Sequence, residues 1–241
     1  MEFQQGLNFA QKMDREDPLA DFRQAFHIPT DEQGRPLIYL CGNSLGLQPK
    51  QTADFLKEEL EDWARLGVEG HTEARHPWMP YHEFLTEAMA KVVGGQPHEV
   101  VVMNTLSANL HFMMVSFYRP SATRYKIMIE SDAFPSDLYA VRSQAAFHGY
   151  DPDDAVSRLF PREGEVTLRN EDILQAIEEH GEALALVMIG NVNYYTGQAF
   201  DIPAITRAGH QVGALVGFDL AHGAGNLPLN LHNDGPDFAV W

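Results

Sequence analysis

The stretch ALALVMIGNVNYYTGQAFDIPAITRAGHQVGALVGFD, residues 183–219, decides the fold. Its short apolar runs predict strands at residues 183–189 and 214–219, and the amphipathic segment between them predicts a helix at residues 202–212. Two strands joined through a helix in this order run parallel in one sheet. The stretch therefore predicts an α/β fold.

The same alternation extends in both directions from this stretch. Apolar runs predict strands at residues 37–40, 100–102 and 125–129, helical spacing predicts helices at residues 49–66, 81–93, 106–118 and 137–147, and a last strand starts within residues 236–241. We expect a mostly parallel sheet with helices on both faces, preceded by an N-terminal helical arm. The predicted division is an arm and helical segment at residues 1–75 and a large domain at residues 76–241.

Composition and charge narrow the class of protein. The 17 basic residues against 34 acidic ones give a net charge of −17, which opposes binding to nucleic acid or to anionic lipid. No apolar run approaches the roughly 18 residues that span a bilayer, and the first residues lack the pattern of a secretory signal. The single cysteine, Cys41, has no intramolecular disulfide partner. We expect a globular, cytoplasmic protein.

The residues after each strand are the candidates for ligand binding, because ligands of parallel α/β sheets sit at the carboxyl ends of the strands. The clearest candidate is the segment at residues 217–225, in which Asp219 closes an apolar strand and His222 follows. A buried aspartate needs a partner, so the sequence predicts a cation here. One carboxylate and one imidazole fall short of a usual metal site, and we rank a metal below an organic cation.

Three further strand ends leave alternatives open. The helix starts near residues 104–109 and 130–137 carry small hydroxyl residues that suit a bound phosphate or polar ligand, and equally suit an ordinary helix cap. The segment at residues 191–197 is either a ligand-orienting loop or a tyrosine-lined turn, and its residues favour neither.

Four motifs in a fixed order resemble one enzyme family. They are CGNSLGLQPK at residues 41–50, FPSD at 134–137, YTGQ at 195–198 and GFDLAH at 217–222. This set is similar to that of the kynureninase family, a branch of the aspartate-aminotransferase-like (fold type I) enzymes that use pyridoxal 5′-phosphate (PLP). The resemblance covers nearly the whole chain. Each motif taken alone is weak, and the combination is specific.

The resemblance implies roles for individual residues. Asp219 would pair with the protonated pyridine nitrogen of PLP, and Phe134 would stack on the ring. Further implied cofactor contacts are Pro135, Ser136, Asp137 and His222, with Leu106 and Ser107 at the phosphate. Ser44 and His71 correspond to substrate contacts.

The implied reaction is hydrolysis of kynurenine, or of its 3-hydroxy derivative, to anthranilate or 3-hydroxyanthranilate and alanine, by a homodimer. Enzymes of this fold bind PLP covalently through a lysine that follows the strand aspartate, but the last lysine here is Lys126, upstream of Asp219. We expect the cofactor lysine beyond Trp241, in a longer protein, and this chain alone to be inactive. The rival hypotheses are another fold type I lyase, such as a cysteine desulfurase relative, and a non-catalytic fragment.

Overall fold

The computed structural model describes residues 3–241 and divides into two compact units, the first ending at Tyr81 and the second comprising His82–Trp241. The first unit contains the helices α1 (Leu7–Glu16), α2 (Thr52–Leu66) and α3 (Gly70–Glu73), with 3-10 turns at Ala20–Ala25 and Gly67–Glu69. Helix α2 starts with an acidic first turn and ends at Gly67, whose positive φ of 55° stops the helix. No helix in the described part of the chain is both long and apolar enough to cross a bilayer.

The second unit alternates helices and strands as the sequence predicts. After a 3-10 turn at Tyr81–Glu83 come α4 (Thr86–Val93), a 3-10 turn at Pro97–Glu99, α5 (Leu106–Phe117), β1 (Lys126–Glu130), α6 (Pro135–Phe147), α7 (Pro152–Ala155) and β2 (Val156–Leu159). Then follow α8 (Asn170–His180), a 3-10 turn at Gly181–Ala183, β3 (Leu184–Gly190), α9 (Ile202–Gln211), β4 (Leu215–Asp219), α10 (Leu231–Asp234) and β5 (Phe238–Val240).

The five strands form one parallel sheet in the order β2-β1-β3-β4-β5. Both faces of the sheet are buried. On one face, Leu186 and Met188 of β3 join the side chains of α5 and α6, and on the other, Val187 and Ile189 join those of α8 and α9. This is the pattern expected of parallel strands that are covered on both sides. The predicted α/β architecture with helices on both faces is confirmed.

Two predicted strands are wrong. Residues 100–102 are not part of the sheet, although Val100 has extended backbone angles, and Val101 is half exposed. Residues 37–40 also form no strand, and Ile38 is 90% exposed. An apolar run forms a strand only where a neighbouring strand can make hydrogen bonds to its backbone. In the described part of the chain, neither of these two runs is paired with another strand.

Candidate active site

The order of the strands creates a crevice at the carboxyl edge of the sheet. From β1 the chain passes to β2 on one side, and then crosses to β3 on the other side of β1. Connections that leave two adjacent strands in opposite directions open a gap between them, where α/β proteins bind their ligands. Glu130 ends β1, Gly190 ends β3, and helix α6 starts five residues after β1.

Asp219 is the last residue of β4 and lies at this edge, one strand from the crevice. It pairs in register with Gly190 of β3, is 8% exposed, and its Oδ1 accepts a hydrogen bond from the Ala221 N–H at 2.7 Å. The strand can hold this position only with glycine at residue 217, because a Cβ there would lie 2.2 Å from the Phe238 ring on β5. The GFDLAH motif thus encodes a close strand contact as well as the acid.

Asp137 lies in the first turn of α6, is 4% exposed, and is hydrogen-bonded through its side chain to Asp219. Burial raises the pKa of Asp137, and the hydrogen bond and negative charge of Asp219 raise it further. The Ser136 hydroxyl, which donates to Asp137 Oδ1 at 3.3 Å, opposes this rise only in part. Because the neighbouring carboxyl opposes its ionisation, Asp137 favours the protonated form, in which its O–H can donate to Asp219.

Glu130 is a third buried acid at this edge, and the sequence places it in the candidate segment at residues 130–137 without assigning it a role of its own. It is 4% exposed, and burial raises its pKa to about 7. The hydrogen bond that its carboxylate accepts from the Gly190 N–H lowers the pKa and opposes this rise only in part. The signal was present in the sequence, since Glu130 follows Ile129 directly at the end of a buried apolar run. The polar residues that follow it also fit an ordinary helix start, so the local sequence does not single out Glu130.

Other acids are the charged groups that raise the pKa values of these carboxyls. The charged groups that act on the pKa of Asp137 are Asp219 and Glu130, and those that act on Glu130 are Asp219 and Asp132. Burying acids together is costly, and such a cluster marks this edge as a candidate binding site for a positively charged ligand. Within residues 3–241, no three or more His, Cys, Asp or Glu side chains are grouped as metal ligands.

The start of α5 lies at the same edge of the sheet. At its other end, the Tyr118 hydroxyl donates to the Tyr125 carbonyl just before β1, and the Tyr118 ring packs edge-on against His148 at the end of α6. Helices α5 and α6 therefore end together at the amino edge and start together at the carboxyl edge. Residue Thr105 does not cap α5 with its side chain, so the amide N–H groups that begin with Leu106 and Ser107 are available to an anion.

Phe134 precedes α6 and offers a flat apolar surface. Its ring is 49% exposed and stands edge-on to Tyr194, with ring centroids 5.1 Å apart and an interplanar angle of 84°. Asn193 fixes the loop that carries Tyr194: its Oδ1 accepts the N–H groups of Tyr195 and Thr196 at 3.0 Å. The loop at residues 191–197 is thus held by its own side chains, and it supports the Phe134 ring.

The remaining predicted residues lie at the start of α6, in the turn after β4 and in the first unit. Pro135 is the first residue of α6, and His222 is half-buried in the turn after β4. Ser44 and His71 belong to the first unit, where both are exposed, the Ser44 N–H donates to Cys41 O, and His71 packs edge-on against Trp78. Lys126 begins β1 at the amino edge, about 13 Å along the strand from Glu130, and its Nζ binds Asp154.

The fold and the edge site define a class: an α/β protein with a parallel sheet and a cluster of buried acids at the carboxyl ends of its strands. The family model for aminotransferase class-V matches residues 38–241, so the chain belongs to the aminotransferase class-V family. Among solved structures, the Escherichia coli cysteine desulfurase CsdA aligns at a TM-score of 0.67 with 18% identity, over 91% of this chain and 53% of that one. The lyase C-DES, described with a PLP cofactor, aligns at 0.66 with 16% identity, over 82% of this chain and 50% of its own. These two likenesses show the fold.

Sequence relatives confirm the predicted resemblance to kynureninases. The kynureninase of Myxococcus xanthus is 64% identical over 99% of this chain, that of Koribacter versatilis 57% identical over 97%, and that of Mus musculus 45% identical over 96%. The matched part is 56%, 55% and 52% of these three proteins, respectively. The chain thus spans about half the length of the curated relatives it matches.

Proposed function

We propose that this sequence is part of a PLP-dependent kynureninase of the same length as its relatives. The full-length protein hydrolyses kynurenine and 3-hydroxykynurenine to anthranilate and 3-hydroxyanthranilate, with release of alanine. The observation that carries the proposal is the buried acid pair Asp137–Asp219 at the carboxyl edge, because it needs a cation and a protonated pyridine ring supplies one. The kynureninases that match at 64% and 57% identity supply the substrate class.

The cofactor fits the residues at three points. The acid pair suits the ring nitrogen, the uncapped start of α5 at Leu106 and Ser107 suits the phosphate, and the exposed face of Phe134 suits the ring. His222, Pro135 and Ser136 complete the proposed cofactor contacts. The proposal places the cofactor in residues 76–241 and assigns Ser44 and His71, in the preceding part, to the substrate.

When bound, PLP supplies an electron-withdrawing ring that stabilises negative charge on the substrate carbon beside the amino group. The acid beside the ring nitrogen would favour the protonated form of the ring. Asp219 would accept a hydrogen bond from the ring N–H, and the protonated Asp137 would donate to Asp219 and fix its orientation. Phe134, which Tyr194 supports edge-on, would cover one face of the ring and exclude water from it.

The covalent attachment of PLP needs a lysine near the ring, and Lys126 does not serve. Its ammonium group is held by the Asp154 carbonyl at 2.8 Å and carboxylate at 3.0 Å, at the opposite edge of the sheet. We therefore propose that residues 1–241 alone do not catalyse the reaction.

The test is a pair of assays on two proteins. Anthranilate fluorescence measures kynurenine hydrolysis, and sulfide release measures cysteine desulfuration, each for the full-length protein and for residues 1–241. We expect anthranilate from the full-length protein only and sulfide from neither. Sulfide without anthranilate would assign the protein to the desulfurases instead, and anthranilate from residues 1–241 would show that no further lysine is needed.

We also propose a cytoplasmic homodimer. The net charge of −17 and the single cysteine favour a reducing, soluble compartment. Light scattering of the full-length protein measures the oligomeric state, and a monomeric mass would contradict the proposal.

A further inference from the structure

Glu130 lies where the sheet opens between β1 and β3. The last residues of β1 and β3 that pair with each other are Met128 and Val187. Glu130 and Gly190 therefore lie beyond the paired part of the two strands, where the crevice opens. The Glu130 carboxylate spans this gap: Oε1 and Oε2 lie 3.1 and 3.3 Å from the Gly190 nitrogen and accept its N–H. A side chain thus replaces the backbone hydrogen bond that the diverging strands no longer form.

Gly190 transmits this contact to the aspartate. It is the register partner of Asp219, and the next residue, Asn191, donates its N–H to the Asp219 carbonyl at 2.7 Å. A Cβ on residue 190 would lie 2.9 Å from Glu130 Oε1, so a side chain at this position would push the carboxylate away from the Gly190 N–H. The contacts therefore run from Glu130 through the end of β3 to Asp219.

Glu130 also contributes charge to the site. The pKa of its carboxyl is raised to about 7 by burial, so it ionises near neutral pH. Acids face it from the turn after β1 (Asp132), from α6 (Asp137) and from β4 (Asp219). The cation on the adjoining strand β2, Arg158, donates to the Ser131 carbonyl. Ionised Glu130 therefore adds negative charge to the Asp137–Asp219 pair.

Resting on the proposed function, we propose that Glu130 is a positioning residue for the cofactor: it holds the strand end that carries Asp219, and its negative charge strengthens binding of the protonated ring nitrogen. It acts through Asp219 and does not itself contact the ring.

The experiment uses the full-length protein freed of cofactor and the probe pyridoxine 5′-phosphate, which has the cofactor's ring and phosphate but no aldehyde. Its dissociation constant is measured by calorimetry from about pH 5.5 to about pH 8.5 for the wild type and for Glu130→Gln. Glutamine keeps the acceptor for the Gly190 N–H but never ionises. We expect the ratio of the two constants to be near one at the acid end and to rise about tenfold across this range, the size of one like-charge effect at a partly shielded site. Glu163→Gln, the same change in an exposed loop, keeps a ratio of one throughout.

A ratio that is constant with pH, at any value, would overturn the role of the charge. The positioning role has its own variant, Gly190→Ala, which displaces the Glu130 carboxylate without removing it and also serves if Glu130→Gln does not fold. We expect it to weaken probe binding several-fold at every pH, and wild-type affinity would overturn the positioning role. Absence of probe binding to the wild type itself is a different result, which would overturn the proposed function and this inference with it.

Discussion

Buried acids occur in both units of the chain, and their surroundings are opposite. Asp62, on α2 in the first unit, is 1% exposed and is surrounded by donors: it accepts the Arg75 N–H at 2.7 Å and an Arg65 guanidinium N–H at 2.8 Å. Its pKa is lowered, chiefly by the Arg75 N–H. Asp137 and Glu130 in the second unit are as deeply buried, yet their pKa values are raised and their charged neighbours are acids.

The difference separates a structural acid from a binding acid. Asp62 has its positive partners within the fold, so its charge holds the end of α2 to the segment that follows. For Glu130 and Asp137, the charged groups that act on the pKa are other acids, and burial of these two carboxyls disfavours their ionised forms. Strained or destabilised polar groups persist where they serve a ligand, and this contrast is what marks the carboxyl edge as the site.

The largest effect is expected from Asp219→Asn. Loss of one member of a buried charge pair costs about 4 kcal/mol, so the affinity for PLP in the full-length protein falls on the order of a thousandfold. Cofactor titration followed by absorbance measures this fall. Asp153→Asn, on a side chain that is 79% exposed, is the matched control and leaves the affinity unchanged.

The same Asp219→Asn change is expected to stabilise the cofactor-free protein. It removes one of the mutually repelling acids, and the free energy of unfolding at about pH 8 rises by about 1 kcal/mol. Urea unfolding measures it. A loss of both cofactor affinity and stability would instead indicate that Asp219 is a structural acid like Asp62.

The second effect is a pH dependence of stability with opposite signs in the two units. The folded-state pKa of Glu130, about 7, lies above its usual 4.5, so the folded protein retains a proton that the unfolded chain has lost. The contribution of Glu130 to the free energy of unfolding is therefore at its full value below about pH 4.5. It falls by about 3 kcal/mol as the pH rises through 7. The pKa of Asp62 is lowered from 3.8. Its contribution to the free energy of unfolding is therefore present above that pH and is lost as the pH falls below it.

Urea unfolding of the cofactor-free protein across this pH range tests both signs. Glu130→Gln is expected to remove the part of the decline that Glu130 causes between about pH 4.5 and 7, to leave the part caused by Asp137, whose pKa is also raised, and to leave the acid limb unchanged. An equal decline in wild type and variant would show that Glu130 does not titrate in this range.

The third effect is on the first unit alone. Asp62→Asn removes the charge that Arg65 and Arg75 share, and we expect the melting temperature to fall by several degrees while cofactor affinity in the second unit stays unchanged. Differential scanning fluorimetry and the cofactor titration measure the two quantities. Glu61→Gln, which alters a half-exposed partner of the same Arg75, is the control and changes the melting temperature less.

The sequence predicted the fold where the local pattern and the tertiary pairing agree. Strands β1, β3 and β4 appear within one residue of their predicted bounds, because each is a run of apolar residues buried on both faces. Strand β2 was missed because its four residues, VSRL, include two polar ones, as suits the edge of a sheet. Residues 100–102 have the composition of a strand, and only the absence of a paired neighbour excludes them.

The site was predictable residue by residue but not as an arrangement. Asp219 was identified because a strand-ending aspartate is difficult to explain by packing, and Asp137 through the FPSD motif. Their hydrogen bond joins positions far apart in the sequence, which no local pattern encodes. Glu130 shows the same limit: its importance comes from its contact with Gly190 across the crevice, and that contact exists only once β1 and β3 lie side by side.

The smallest effect is expected at Phe134, which tests whether the apolar face beside the acids contributes to binding. Its ring is half exposed and touches Tyr194 only edge-on, so Phe134→Leu removes little packing and the stability hardly changes. A stacked aromatic contact is worth about 1 kcal/mol, so the dissociation constant for PLP rises about fivefold. Tyr139→Leu, an aromatic residue of α6 that is 74% exposed, is the matched control and leaves the constant unchanged. Equal effects of the two variants would mean that the ligand is held by the acids and the start of α5 without the ring of Phe134.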